Sequence, residues 1–451
     1  MDLLQTLLAT LVTLGVLVTI HEWGHFFVAR RCGIKVLTFS IGFGRALLRW
    51  RSKRSGTEYV LAMIPLGGYV RMLDEREGEV PDALKSQAFN RKPVLQRIAV
   101  VAAGPVVNLA FAALAYWVMF VSGVGAIKPT VADITPNTPA AVAELRPGGE
   151  IIQIDGKETL SWEAVNLSLA ARVGESGTIT LRMLYPDSTL PRDYNIQLNE
   201  WKFDVEKQSP VSALGLVPWS PEIPATIGRL LENGEAARAG LQVGDQVVAI
   251  DGQPVSDWYA LVKRVQQAPG ATLEFEILRA GVSETVVVTP TQRQVDGKVS
   301  GYIGAGVASV SWPPEQQREI SFGVVESFVK ALDKTWQMIT LILDSIWKML
   351  EGVISVKNLS GPITIAKVAG ASAESGMEAF VGFLAYLSIS LGVLNLLPIP
   401  MLDGGHLLYY TIELLRGKPV SERVQMVGLR FGMAVLFTLM SVAIINDVMR
   451  L

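Results

Sequence analysis

LLQTLLATLVTLGVLVTIHEWGHFFVARR, residues 3–31, holds both the fold and the chemistry. From Leu3 to Ile20 there is no charged side chain, and after His21 and Glu22 the run resumes as Trp23–Ala29 before stopping at Arg30 and Arg31. About 20 apolar residues span a bilayer core of about 30 Å. The stretch is a poor cleavable leader, because Asp2 stands where a basic start is expected and no small-residue cleavage site follows. It is therefore read as a retained span over residues 3–29.

The same composition recurs downstream. Residues 98–127 carry no charge, giving a second span over 98–124. A third covers 379–402 between Glu378 and Asp403, and a fourth, shorter one covers 427–446, with Arg430 free to snorkel. Across the 451 residues 50% are hydrophobic and 18% charged, and mean hydropathy is +0.35. Soluble domains carry about 25% charge, so a purely soluble enzyme is disfavoured and disorder is excluded. The net charge of −2 offers no basic imbalance that would suit a nucleic acid. Cys32, the single cysteine, excludes an intramolecular disulfide and any multi-cysteine metal site.

Orientation follows from the basic residues. Arg30, Arg31, Lys35, Arg45, Arg49, Arg51, Lys53 and Arg54 lie between the first two spans, and Arg416, Lys418, Arg423 and Arg430 between the last two. Both loops are expected in the cytoplasm, which leaves both termini and residues 128–378 outside.

That outer segment repeats. NTPAAVAELRPGGEIIQIDG at 137–156 and NGEAARAGLQVGDQVVAIDG at 233–252 align at a constant offset of 96, which also relates Trp162 to Trp258. The shared pattern is a short Ala-rich helix, a Leu-x-x-Gly turn, an apolar strand and an Asp-Gly turn. It resembles PDZ domains of bacterial envelope proteases, placed at 128–220 and 221–311. Such domains add an extended peptide or C-terminus to a sheet edge. In the helical linker 312–378, Val325, Phe328, Leu332, Trp336, Ile339, Leu343, Ile346 and Leu350 recur at helical steps. This predicts an amphipathic helix whose stripe packs on a neighbouring element or lies on the membrane surface, packing being preferred.

His21 and His25 lie four apart on one face of a helix, close enough for both imidazoles to hold one Zn²⁺. Glu22 sits beside them, able to take a proton from an attacking water. Two of the three histidines are in this turn, inside an apolar span where ionisable groups are costly and functional by default. A catalytic zinc needs a third protein ligand. The third span ends NLLPIPMLDGGH at 395–406, where Pro398 and Pro400 must break the helix. Broken backbone at membrane depth is tolerated only inside protein or beside a water-filled cavity. Asp403 and His406 are both candidates for the third ligand, and Asp403 is preferred.

HEWGH in the first span together with NLLPIPMLDG in the third resembles the site-two protease family of intramembrane zinc metalloproteases. The tandem PDZ-like units between the second and third spans are similar to the branch that regulates sigma E in Gram-negative inner membranes. The resemblance covers essentially the whole chain. It implies a multi-pass α-helical membrane protein with four transmembrane helices, residues 1–127 and 379–451 forming the membrane domain and the two PDZ-like α+β domains facing the periplasm. It implies that His21, His25 and Asp403 bind zinc, that Glu22 is the catalytic base and that Asn395 orients unwound substrate. Gly104-Pro105 and Asn108 also match the family and are read as helix packing beside the site. The implied substrate is a single-span membrane protein, an anti-sigma factor already trimmed outside, with remnant signal peptides as a second class.

A transmembrane helix must be unwound before it is cut, and its freed backbone then needs partners. EYVLAMIPLGGYVRM at 58–72 is β-prone and apolar. It is expected to form a membrane-associated hairpin or strand whose edge, around Gly67, Gly68 and Tyr69, pairs with substrate. The rival from another class is a non-enzymatic PDZ adaptor with a structural metal site. A zinc transporter is disfavoured because the spans hold a single three-ligand site and no chain of ligands for a metal path.

Overall fold

The computed structural model describes residues 3–203, 208–295, 298–308 and 310–450. Four of its helices are long and apolar enough to cross a membrane: α1 (Leu3–Arg31), α2 (Val94–Ser122), α5 (Met377–Leu396) and α7 (Glu422–Met449). The third of these ends earlier than the apolar run does. Leu397 is already extended, and the chain stays outside helical geometry through Leu402. The cause is local, since Pro398 and Pro400 supply no N–H. The helix restarts at Asp403 as α6 (Asp403–Arg416).

After α1 the chain forms two long strands, β1 (Val36–Arg51) and β2 (Glu58–Met72). Each is folded on itself. The first half of β1 pairs on one side with residues 68–72 and on the other with residues 58–61. Its second half pairs with the first half of β2, as in Leu48 with Leu61 and Arg51 with Glu58. The result is a four-ribbon mixed sheet, its central pair parallel and its outer pairs antiparallel, with residues 68–72 on one edge and 43–51 on the other. Val60 and Ala62 are buried, and Phe26 of α1 packs edge-on against Phe39 and Tyr59, so the sheet is seated on the first helix.

The segment after α2 is closed at its base by a two-stranded ribbon, Val124–Ile127 against Gln317–Ile320. Above it stand two units of the same construction. In the first the sheet order is Lys157–Glu158, Glu150–Ile154, Gly177–Leu184, Arg192–Leu198; in the second it is Gln253–Pro254, Gln246–Ile250, Leu273–Arg279, Val282–Val288. The repeat extends to the capping chemistry. Ser161 Oγ accepts from the Ala164 N–H at 3.2 Å, and Asp257 Oδ1 accepts from the Ala260 N–H at 2.8 Å, each opening the unit's longest helix. Each unit has its own core, with Ile151, Leu169 and Leu181 fully buried in one, and Ile250, Phe275 and Ile277 in the other.

The amphipathic helix α3 (Val324–Leu350) packs on α2 and α5, but not through most of the expected stripe. Its buried residues are Ser327, Ala331, Thr335, Met338 and Lys348, and Ile339 of the stripe packs partly buried beside them, while Val325, Phe328, Leu332, Trp336, Leu343 and Leu350 are exposed. Small side chains let the helix axes approach, which turns the bulky apolar face outward and corrects the preference for packing through it. The helix is tied to the first unit by Lys330 to Glu158 (3.1 Å), Lys334 to Glu163 (2.8 Å) and Lys348 Nζ to the Ala171 carbonyl (2.7 Å). Beyond it, α4 (Pro362–Glu374) leans on α1, and Asp447 of α7 accepts from the N–H groups of Gly361, Ile363 and Thr364 at its start.

Candidate metal centre

Helix geometry brings His21 and His25 into register, and their Nε2 atoms lie 3.2 Å apart. The broken end of α5 delivers the third group. Asp403 Oδ2 is 3.2 Å from His21 Nε2 and 3.5 Å from His25 Nε2. A tetrahedral ion with bonds of about 2.1 Å sets its ligand atoms about 3.4 Å apart. The three atoms therefore form one face of such a tetrahedron and leave its fourth corner open. Two imidazoles and a carboxylate also suit zinc in donor type. Among the described residues these are the three that lie close enough to share one ion, and His406 is not with them. Its ring stacks over Tyr410, with centroids 6.4 Å apart, one turn further along α6.

Both histidines are buried, and the second helix sets their orientation. The carbonyl of Val100 can only accept, so His25 Nδ1, 2.8 Å away, carries the proton and Nε2 presents its lone pair to the cluster. His21 Nδ1 faces the Asn108 amide at 3.2 Å. The Oδ1 atom of Asn108 is buried and has no partner among the described residues. A half-turn of this amide lets Oδ1 accept from Nδ1–H, the arrangement that frees His21 Nε2 for a metal. Asn108 thus faces the site directly, which corrects its reading as a packing residue.

Gly104 belongs to the site as well. A Cβ there would collide with His25 Nε2 and come within 2.8 Å of His21 Cε1. The missing side chain is the space in which the imidazoles converge. One turn away on α1, Gly24 meets the Ala103 carbonyl just as closely, with a built Cβ only 2.6 Å from that oxygen. The two glycines set how near α1 and α2 can cross.

Glu22 lies on the side of α1 turned toward the sheet. A Cβ on Gly68 would be 2.9 Å from Glu22 Cγ and from Val18 Cγ1, so the 68–72 edge runs past the proposed base. Gly67 lies against the Phe43 ring, which stacks on Tyr69 with centroids 6.2 Å apart. Asn395, in the last turn of α5, is half-buried, and its side chain makes no hydrogen bond to a described residue, which leaves its amide available.

The model of peptidase family M50 matches residues 9–439. The chain belongs to peptidase family M50. This M50 peptidase is 46% identical over 451 residues to the regulator of sigma E protease of Salmonella typhi, and 45% identical over 452 residues to the regulator of sigma-E protease RseP of Escherichia coli K12, with both chains of each pair covered completely. The protein of the same name from Haemophilus influenzae is 42% identical, again over the whole length of both chains. Among solved structures, the PDZ domain of an SdrC-like protein from Listeria innocua aligns with 20% of this chain and 97% of its own, at 19% identity and a TM-score of 0.17. As an M50 member of this kind, the chain is a site-two-type metalloendopeptidase that acts within the membrane.

The candidate centre contains two contributions that the order of residues does not display. Val100 contributes only a backbone oxygen, and Gly104 contributes an absence. The cue for Asn108 was available as an amide one turn past a Gly-Pro in an apolar span, where a polar side chain needs a partner.

Proposed function

We propose that this peptidase uses one zinc ion held by His21, His25 and Asp403 to cut single-span membrane proteins inside the bilayer, with Glu22 as the base. The three ligand atoms at 3.2, 3.2 and 3.5 Å carry this reading. When bound, zinc polarises the peptide carbonyl and lets water attack it at neutral pH. Glu22 takes the proton that the attacking water loses and returns it to the leaving amide nitrogen as the C–N bond breaks. The hairpin lies in the membrane, and its 68–72 edge pairs with the unwound substrate, with Gly68 letting that edge close on Glu22 and Val18 and Gly67 and Tyr69 flanking it. Asn395 donates to or accepts from the same freed backbone.

The two repeated units are PDZ-like domains at 128–220 and 221–311 on the periplasmic side, as are both termini, and the protein sits in the inner membrane. They recruit or exclude substrates by their outer length, through a peptide or C-terminus at their sheet edges. The physiological substrate in this reading is an anti-sigma factor already trimmed outside; the relatives' names support the link to sigma E. Remnant signal peptides fit the same chemistry.

The test is cleavage of a single-span reporter by purified protein. Glu22→Gln is expected to retain zinc and fold and to lose cleavage. A variant that still cuts would reject Glu22 as the base, whereas a natural chain that binds zinc and cuts nothing would favour the adaptor reading, in which the metal serves structure alone.

A further inference from the structure

The second half of β1 is exposed on both of its faces. Phe43, Leu47, Leu48 and Trp50 are each at least 45% accessible, and no further strand among the described residues pairs with the outer edge they form. Arg49, Arg51, Lys53 and Arg54 are interleaved with or follow them and are exposed too. One acidic residue, Glu58, answers these four cations, 3.5 Å from Arg49. Lys53 and Arg54 make no ion pair or hydrogen bond to a described side chain.

Depth along this strand can be read against α1. The inner end of the sheet is fixed by Gly68 against Val18 and Glu22. The outer end is fixed by Thr57 Oγ1, which donates to the Val36 carbonyl at 2.9 Å, just past the turn that follows Arg31. Phe43, Leu47 and Leu48 therefore lie toward the level of the metal centre. Trp50 and the cations lie level with the basic end of α1, whose Arg30 and Arg31 guanidinium groups sit over Phe26 and Phe27. Trp50 is stacked on Tyr59, with ring planes 11° apart, so it is held at this level. Apolar residues inside, a tryptophan at the boundary with Arg49 one position inside it, and three cations outside it form the grading of a segment at a membrane interface. A loop that needed positive charge only to set topology has no reason to hold it on a rigid strand beside exposed leucines.

We propose that residues 47–54 bind the acidic phospholipid headgroups of the leaflet reached by the C-terminal end of α1. Leu47, Leu48 and Trp50 lie at the acyl boundary, and Arg49, Arg51, Lys53 and Arg54 meet the phosphates. The proposal rests on the reading above that the hairpin lies in the membrane. It adds a lipid chemistry to that reading, one that would hold the sheet in place beside Glu22. Arg45, higher on the strand, reaches the same level only by extending its side chain outward.

The test uses the full chain in nanodiscs containing phosphatidylglycerol and phosphatidylcholine at one fixed ratio, with bromine on the acyl chains of either one lipid or the other. Quenching of Trp50 is the difference between the natural chain and Trp50→Phe. Bromine on phosphatidylglycerol is expected to quench at least about twofold more per lipid than bromine on phosphatidylcholine, with the excess shrinking at high salt as the charges are screened. The triple variant Arg51→Gln, Lys53→Gln, Arg54→Gln should bring the two to equality. Equal quenching in the natural chain, or an excess that survives the triple variant, overturns the headgroup proposal and leaves the membrane placement standing. No quenching by either lipid overturns the membrane placement itself.

Discussion

The Nδ1–H of His25 donates to the main-chain carbonyl of Val100 across 2.8 Å, joining two helices whose residues here are 75 apart in the chain. One bond fixes the tautomer, the ring plane and the crossing of α1 on α2. A proline or insertion that shifted α2 along its axis by one residue, about 1.5 Å, would remove the acceptor without touching any proposed ligand. The metal centre is in this sense a property of the helix pair.

Asn108 does for His21 what the Val100 carbonyl does for His25. Removing such a partner typically costs about 10–100-fold in metal affinity. Asn108→Ala is therefore expected to weaken zinc binding by about that factor. Asn108→Asp, which keeps an acceptor for Nδ1–H, is expected to hold zinc close to the natural level. Competition for zinc against a chromogenic chelator measures both. Equal affinity in the alanine variant would return Asn108 to a packing role.

Gly104→Ala adds a single methyl group, yet it falls where the two imidazoles meet. The expected result is loss of bound zinc and of cleavage with the helices still assembled, since Ala is the better helix former by roughly 1 kcal/mol. Zinc content and circular dichroism on one preparation check this. A zinc-replete Gly104→Ala protein would mean that the helices separate more easily than the packing of Gly24 and Gly104 implies.

In the second repeated unit Asp245 is buried and forms a paired bond with Arg279, with N–O distances of 2.8 and 2.7 Å, and accepts from the Gln242 N–H. Chiefly through the Arg279 bond, its carboxyl titrates below the usual aspartate range. A lowered folded-state pKa stabilises the unit above the unfolded value of about 3.9 and loses that stabilisation as pH falls toward the folded value. Hydrogen exchange in the full chain should then show Gln246–Ile250 and Leu273–Arg279 losing protection below about pH 4. Asp245→Asn should flatten this dependence and cost about 1–3 kcal/mol at neutral pH. Unchanged protection across that range would show that the pair contributes nothing to the unit's stability.

The parts visible in the residue order were those with a local period or a repeat. Four apolar runs, the four-residue spacing of His21 and His25 and the offset of 96 are all of this kind. Pro398 and Pro400 announced a break, and α5 stops at Leu396 because of it. What the order did not reveal depends on which surfaces meet. The bulky stripe on α3 has the better periodicity, but helices approach most closely through small residues, so Ser327 and Ala331 take the interior. The hairpin's strand was expected at 58–72, but not its partner at 36–51 nor the doubling of both into four ribbons. Register between distant strands leaves little trace in either one alone. Gly104 and Val100 stayed hidden because a hydrogen side chain and a backbone oxygen have no chemical signature until α1 and α2 are crossed.

Asp403 is proposed to close a metal site begun by His21 and His25. X-ray absorption at the zinc edge, on purified natural protein and on Asp403→Ala, addresses it most directly. One zinc per natural chain is expected, with two imidazoles and additional oxygen ligands at about 2.0–2.1 Å, and a variant that loses the metal or keeps it with the carboxylate scattering gone. A variant that binds one zinc as tightly as the natural chain, in an unchanged shell, would contradict it.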